Sequence, residues 1–209
     1  MNFSMAALSL FSLVTVAFDR PGEQRGCELT IAFGSYCCGT DSMTEQAIRT
    51  YLEKNRQVVL RSSRGGGIEG EHVWCLDARS KAAALDAFDA IRQLIPAYSD
   101  QAPTSVVLST GERFETGWPR WIREPTVEEI AAATPKSTAP GAPVFGFAQL
   151  ACMATETGEL AGCRVLRERP EGVGYGSAAM GLAARYKLDP SIEPKPPGRA
   201  HVSIQFQNR

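Results

Sequence analysis

Between Glu28 and Thr110 the hydrophobic periodicity changes in a fixed order: strand, helix, strand, strand, helix, strand. LTIAFGSY from Leu29 and TSVVLS from Thr104 are short apolar or alternating runs, as strands with a buried face require. Asp41 or Ser42 caps the first helix, with Glu45 three residues after the serine as a capping box. Met43, Ala47, Ile48, Tyr51 and Leu52 then recur on one face. VVLRSS and EHVWCL flank RGGGIEG, a hairpin signal because glycines admit the positive φ of a tight turn. Ser80 caps a second helix whose Ala84, Leu85, Phe88, Ile91 and Ile95 form a stripe that Pro96 ends. The order βαββαβ predicts a ferredoxin-like α+β sandwich over residues 26–110.

Five prolines between Gly111 and Pro143 interrupt the periodicity, so residues 111–142 read as a joint. Thr126 and Glu129 form a capping box ahead of VEEIAAA. Trp118, Trp121 and Ile122 are large apolar groups that need somewhere to dock. The expectation is one short helix packed on a neighbouring domain, not a free tether.

Two features point to export. The first eighteen residues carry no charge and are mostly apolar from Phe3 onward. A span needs ~20 apolar residues, so residues 1–25 read as a signal peptide, with Ala17 suiting cleavage nearby, or as a short anchor, with a buried helix as the remaining alternative. The six cysteines, at 27, 37, 38, 75, 152 and 163, include no CxxC, so metal spacing is absent and disulfides in an oxidising compartment are the better reading. The 22 basic and 23 acidic residues are interleaved and leave a net charge of -1, which argues against nucleic acid as a partner.

VFGFAQLACMATETGELAGCRVLRE is two alternating runs about Thr157-Gly158, a hairpin. With a loop of two or four residues, Cys152 lies across from Cys163 at a separation a disulfide can bridge. A loop of three shifts the register by one and leaves them diagonal. Buried free thiols are the bland alternative.

After the hairpin come Gly172, Gly174 and Gly176, then Ser177 and an alanine-rich helix ending near Tyr186, a Pro/Gly turn, SIEPKPPGR, and a last strand, AHVSIQF. These parts, in this order, resemble the C-terminal domain of TonB-family proteins, in the variety with a cysteine in each hairpin strand. The resemblance spans residues 143–209 and implies a ββαβ domain of the periplasm, anchored or free. It also implies a partner: an extended segment of an envelope protein, such as an outer-membrane transporter, captured by pairing with an exposed sheet edge. On this chain that edge is the last strand, at Val202, Ser203, Ile204, Gln205 and Phe206. The apolar N-terminus has no histidine, and the joint stands where the family has a long Pro/Lys-rich spacer, so the resemblance implies binding more than force transmission.

The three glycines also raise a phosphate loop as an alternative. A dinucleotide fingerprint needs glycine at the first, third and sixth places after a buried strand, whereas the sixth place from Gly172 is Ser177 and the preceding residues are ERPE. The glycines are therefore expected to turn the chain into a helix capped by Ser177 or a neighbour.

Catalysis has few candidates. His72 and Cys75 are an odd number apart on one strand and point to opposite faces, while His201 reads as a surface residue. The alternative function is an exported enzyme or a thiol-redox protein with its site in the N-terminal half, since Cys37 and Cys38 precede a helix. Otherwise Cys27, Cys37, Cys38 and Cys75 are candidates for further disulfides, with three pairings open. The sequence thus predicts a non-catalytic interaction protein without cofactor or metal.

Overall fold

A computed structural model describes residues 26–36, 39–136 and 145–207. The apolar N-terminal segment, Cys37 and Cys38 lie outside the described residues. The described chain is α+β, with four helices and several sheets.

Strand β1 (Leu29–Phe33) buries Leu29, Ile31 and Phe33 and turns Thr30 and Ala32 to the other face. Helix α1 (Ser42–Lys54) starts at Asp41, whose carboxylate accepts the amides of Met43 at 3.1 Å and Thr44 at 3.0 Å. The cap is thus Asp41 alone, without a capping box at Ser42. Strands β2 (Val58–Gly65) and β3 (His72–Ala78) form the glycine-turn hairpin. Helix α2 (Lys81–Leu94) is capped by the Ser80 hydroxyl, which accepts the Ala83 amide at 3.1 Å. Strands β4 (Tyr98–Ser99), β5 (Thr104–Leu108) and β6 (Arg113–Glu115) follow.

The first sheet has the order β2-β3-β1-β5-β6, every pairing antiparallel. Its core gathers the inward residues of β1, Trp74, Leu76, Val106 and Leu108 against Ile48 of α1 and Ala84, Ala87, Phe88 and Ile91 of α2. Each large apolar side chain so buried contributes roughly 1.5–3 kcal/mol. Leu85 and Met43, expected on the stripes, sit at the margins and are half exposed, while Ala87 occupies the centre of the packed face.

Within the proline-rich stretch, the described residues up to Lys136 dock on the rest of the chain. Strand β7 (Trp121–Arg123) precedes helix α3 (Val127–Ala133), whose Thr126–Glu129 capping box is formed in both directions. Ile130 and Ala133 pack on the second core, and the Trp121 ring meets Tyr186 edge-on at 5.0 Å. Trp118 and Ile122 remain more than half exposed.

The last third comprises β8 (Phe145–Ala154), β9 (Leu160–Arg169), α4 (Tyr175–Leu182) with a 3-10 turn at Ala183–Arg185, β10 (Lys187–Leu188) and β11 (Gly198–Gln207). Strand β10 pairs with β7, and the second sheet runs β4-β11-β8-β9. Ala148, Leu150, Cys152, Val202, Ile204 and Phe206 face Tyr175, Ala179 and Leu182 of α4 across its core.

The hairpin turn settles the register question in an unforeseen way. Its loop has three residues, since Ala154 faces Leu160 and the Thr155 amide bonds to the Glu159 carbonyl at 2.8 Å. That register alone would leave the cysteines diagonal. A bulge between Ala151 and Met153, where Gly162 takes φ 57°, adds one residue on β9 and restores the opposition. Cys152 and Cys163 are bonded across it with Cα atoms 4.0 Å apart, and Cys27 is bonded to Cys75.

The two halves are joined by more than the connecting chain. Strand β4 belongs to the N-terminal half, yet it pairs in parallel with Ala200 and His201 of β11. A third apolar cluster gathers Ala97, Tyr98, Ala154, Leu188 and Ala200 from both sides. Buried Gln149 donates to the Gln101 side chain at 2.7 Å. His201 is itself buried, correcting its reading as a surface residue: its Nδ1 lies 3.0 Å from an Asp41 carboxylate oxygen.

Candidate partner-binding site

From Val202 onward strand β11 alternates between buried and more exposed residues. Val202, Ile204 and Phe206 are at most 2% exposed and fill the core, while Ser203, Gln205 and Gln207 turn to the other face. On one border β11 pairs with β8 along its whole length, from Gly198 to Gln207. On the other border β4 covers only Ala200 and His201. Next along, the Asp100 carboxylate accepts the Ser203 amide at 2.9 Å. That bond shows that the Ser203 N–H points away from β8. Strand geometry repeats every two residues, so the amides of Gln205 and Gln207 point the same way. Among the described residues no strand lies beside them.

An open cleft of about 1200 Å³ runs along this unpaired stretch. Ile130 and Tyr186 border it on the helix side, and Phe147, Arg167 and Arg169 on the other. The Arg167 guanidinium lies over the Phe147 ring at 5.0 Å.

Of the five residues expected to receive a partner, Val202, Ile204 and Phe206 thus supply packing, and their own amides face β8. The Ser203 donor is already taken by Asp100. Gln205, and Gln207, which lay outside the expected set, are the positions on this border with no neighbouring strand among the described residues. Asp100 was also missed, because its contact lies 103 residues away and no local pattern marks it. Burial pushes the Asp100 carboxyl above its usual range, against the opposing pull of the Ser203 hydrogen bonds.

The glycine-rich start of α4 has a definite role in positioning this sheet. Gly172 and Gly174 take positive φ, 74° and 98°, and Gly174 is the N-cap without any side-chain cap. The expected Ser177 cap is not made. Instead Glu168 of β9 folds its carboxylate into the turn, accepting the Gly172 amide at 2.7 Å and the Gly176 amide. A phosphate would have to displace the chain's own anion. These amides, the Gly176 bond foremost, hold the Glu168 carboxyl below the usual range. The stabilisation is therefore complete above the ordinary glutamate value and lost as pH falls through the lowered one. Glu168→Gln is expected to cost about 1 kcal/mol at pH 7, by analogy with lost caps. In urea unfolding curves the gap between variant and parent should close below about pH 4.

The remaining sequence candidates do not converge. His72 sits 3.5 Å from Glu45 and stacks on Phe33 at 4.7 Å, on the core side of the first sheet, while Cys75 is disulfide-bonded to Cys27. Comparison with protein-family models, with curated proteins and with solved structures finds no match for this chain.

Proposed function

We propose that this chain is an exported, non-catalytic interaction protein whose last third, a TonB C-terminal-like ββαβ domain, receives an extended segment of an envelope protein beside β11. The first half serves as a ferredoxin-like companion that positions the receiving sheet. The observation that carries this reading is the border at Gln205 and Gln207, beside which no described strand lies and along which a cleft of about 1200 Å³ opens. Pairing there would satisfy outward backbone groups while Ile204 and Phe206 stay in the core, which is how β-augmentation binds without repacking. Two disulfides suit an oxidising compartment, and the periplasm is the one this reading assigns. Among the described residues no helix is long and apolar enough to cross a membrane. An outer-membrane transporter is the partner class the family resemblance suggests.

Gln205→Pro tests the proposal directly. Proline removes the outward donor and is tolerated on a sheet border, so folding should survive while pairing does not. The disulfide-intact chain, immobilised and exposed to an envelope extract, should retain a protein that the variant retains at least about tenfold less, the loss of one or two net hydrogen bonds. Amide exchange at Gln205 and Gln207 should slow in the retained complex. Equal capture by a variant of unchanged Tm, or unprotected amides at both positions, would remove the border from the mechanism.

A further inference from the structure

A second cleft, of about 670 Å³, opens on the other side of Asp100. Its walls are aromatic: Trp118 is 53% exposed, and Trp121 and Tyr186 meet edge-on. Its charge is acidic. Glu124 is exposed and makes no ion pair among the described residues. Asp100 spends one oxygen on the Ser203 amide, and its other oxygen, Oδ1, is buried with no hydrogen-bond partner. The one cation in the wall, Arg120, is committed elsewhere: its Nε donates to Asp189 at 2.8 Å and its Nη2 to Ser191 at 3.1 Å. Both carboxylates act on the Tyr186 phenol, which burial first and their charge second push above its usual range. They therefore share one neighbourhood with the aromatic rings.

We propose that this cleft binds an alkylammonium group, the cationic head found on a lysine side chain or, in quaternary form, on methylated amines. Indole and phenol rings attract a cation to their faces, and the exposed Glu124 carboxylate, with Asp100 behind it, supplies the counter-charge. A hard metal ion is a poorer fit, because it needs six or more oxygen ligands and aromatic walls provide none. An anion would meet two carboxylates. The site makes no use of the unpaired border of β11, so it stands or falls apart from strand capture.

The test uses the full disulfide-bonded chain and small probes: N-acetyl-lysine-N′-methylamide, its neutral ε-acetylated counterpart, and tetramethylammonium. The indole N–H signals of Trp118 and Trp121, assigned with Trp→Phe variants, report on the cleft. Trp74, 2% exposed in the first core, is the internal control. Saturable shifts at Trp118 and Trp121 are expected with a Kd on the order of 1–10 mM, the range open to a single small cation. Trp74 and the ε-acetylated probe should give none. Glu124→Gln, on an exposed side chain, should weaken binding roughly fivefold, the worth of one exposed charge pair. Tighter binding of the lysine analogue assigns a primary ammonium, and tighter binding of tetramethylammonium a quaternary one. Shifts that fail to saturate, an equal response to the neutral probe, or a Glu124→Gln variant that binds as the parent does would each overturn the proposal.

Discussion

Asp41→Ala is expected to lower the free energy of unfolding by about 2–4 kcal/mol at neutral pH, the combined cost of a lost helix cap and of a buried ring nitrogen of His201 left without its hydrogen-bond partner. Asp41 and His201 are 3% and 5% exposed, so water cannot take over the lost interaction. The same carboxylate also accepts the Met43 and Thr44 amides and the Thr44 hydroxyl, the last at 2.7 Å, so the substitution uncaps α1 as well. Asp41→Asn keeps an accepting oxygen and should fall between parent and alanine variant. In a double-mutant cycle, His201→Ala should add far less to Asp41→Ala than it costs alone, because the two side chains act as a unit. The pH dependence has a definite sign. Burial by itself would push the Asp41 carboxyl up, but the His201 and Thr44 interactions together outweigh it and the folded value lies below the ordinary one. The stabilisation is then full above about pH 4 and is lost as pH falls through the folded value. Urea unfolding at neutral and acid pH reads both effects. A cost under about 1 kcal/mol at pH 7, the scale of an exposed pair, would show that the junction does not depend on this contact.

Gly158→Ala should be nearly as damaging, for a different reason. Gly158 takes φ 87° at the hairpin tip, and a Cβ there would come within 2.0 Å of the Leu188 carbonyl oxygen, which is backbone and cannot swing aside. The left-handed conformation costs an L-residue roughly 1–2 kcal/mol, and overpacking adds about 1–3 kcal/mol. A total of about 3 kcal/mol is expected. The tip is also where the Leu188 amide reaches the Gly158 carbonyl at 2.8 Å, so β10 should loosen with it. Gly172→Ala is the matched control. It has φ 74° but nothing within 4 Å of the added carbon, so it should show only the conformational part, about 1 kcal/mol. Equal thermal shifts for the two variants would mean that the Leu188 contact contributes nothing.

What could be read from the residues beforehand follows the range of the interactions. Elements of the first sheet were visible because alternation in LTIAF and the stripe from Ala84 to Ile91 are local patterns, as are the Ser80 and Thr126 caps. The Cys152–Cys163 pairing was found through an assumed register that proved to hold only after a bulge. Gly162, an isolated glycine within a strand pattern, was the available sign of that bulge. Strand β4 was invisible, because two residues have no period. The partnership of Asp41 with His201 spans 160 positions, and a single polar residue at the start of an apolar strand gives no hint of what will cover it. Asp100 escaped for the same reason. At the proposed border, sequence could therefore delimit the strand but not show which of its backbone donors have no neighbouring strand among the described residues.

The placement of β4 and Asp100 bears on the length of whatever lies beside β11 in the proposed complex. They fill the first part of that border as far as the Ser203 amide, so a visiting segment runs into an end-stop there. Only a short stretch can dock, and its register is measured from that stop rather than left to slide. A chain terminus, or a segment that turns sharply after a few extended residues, meets this requirement, whereas the middle of a long straight strand does not.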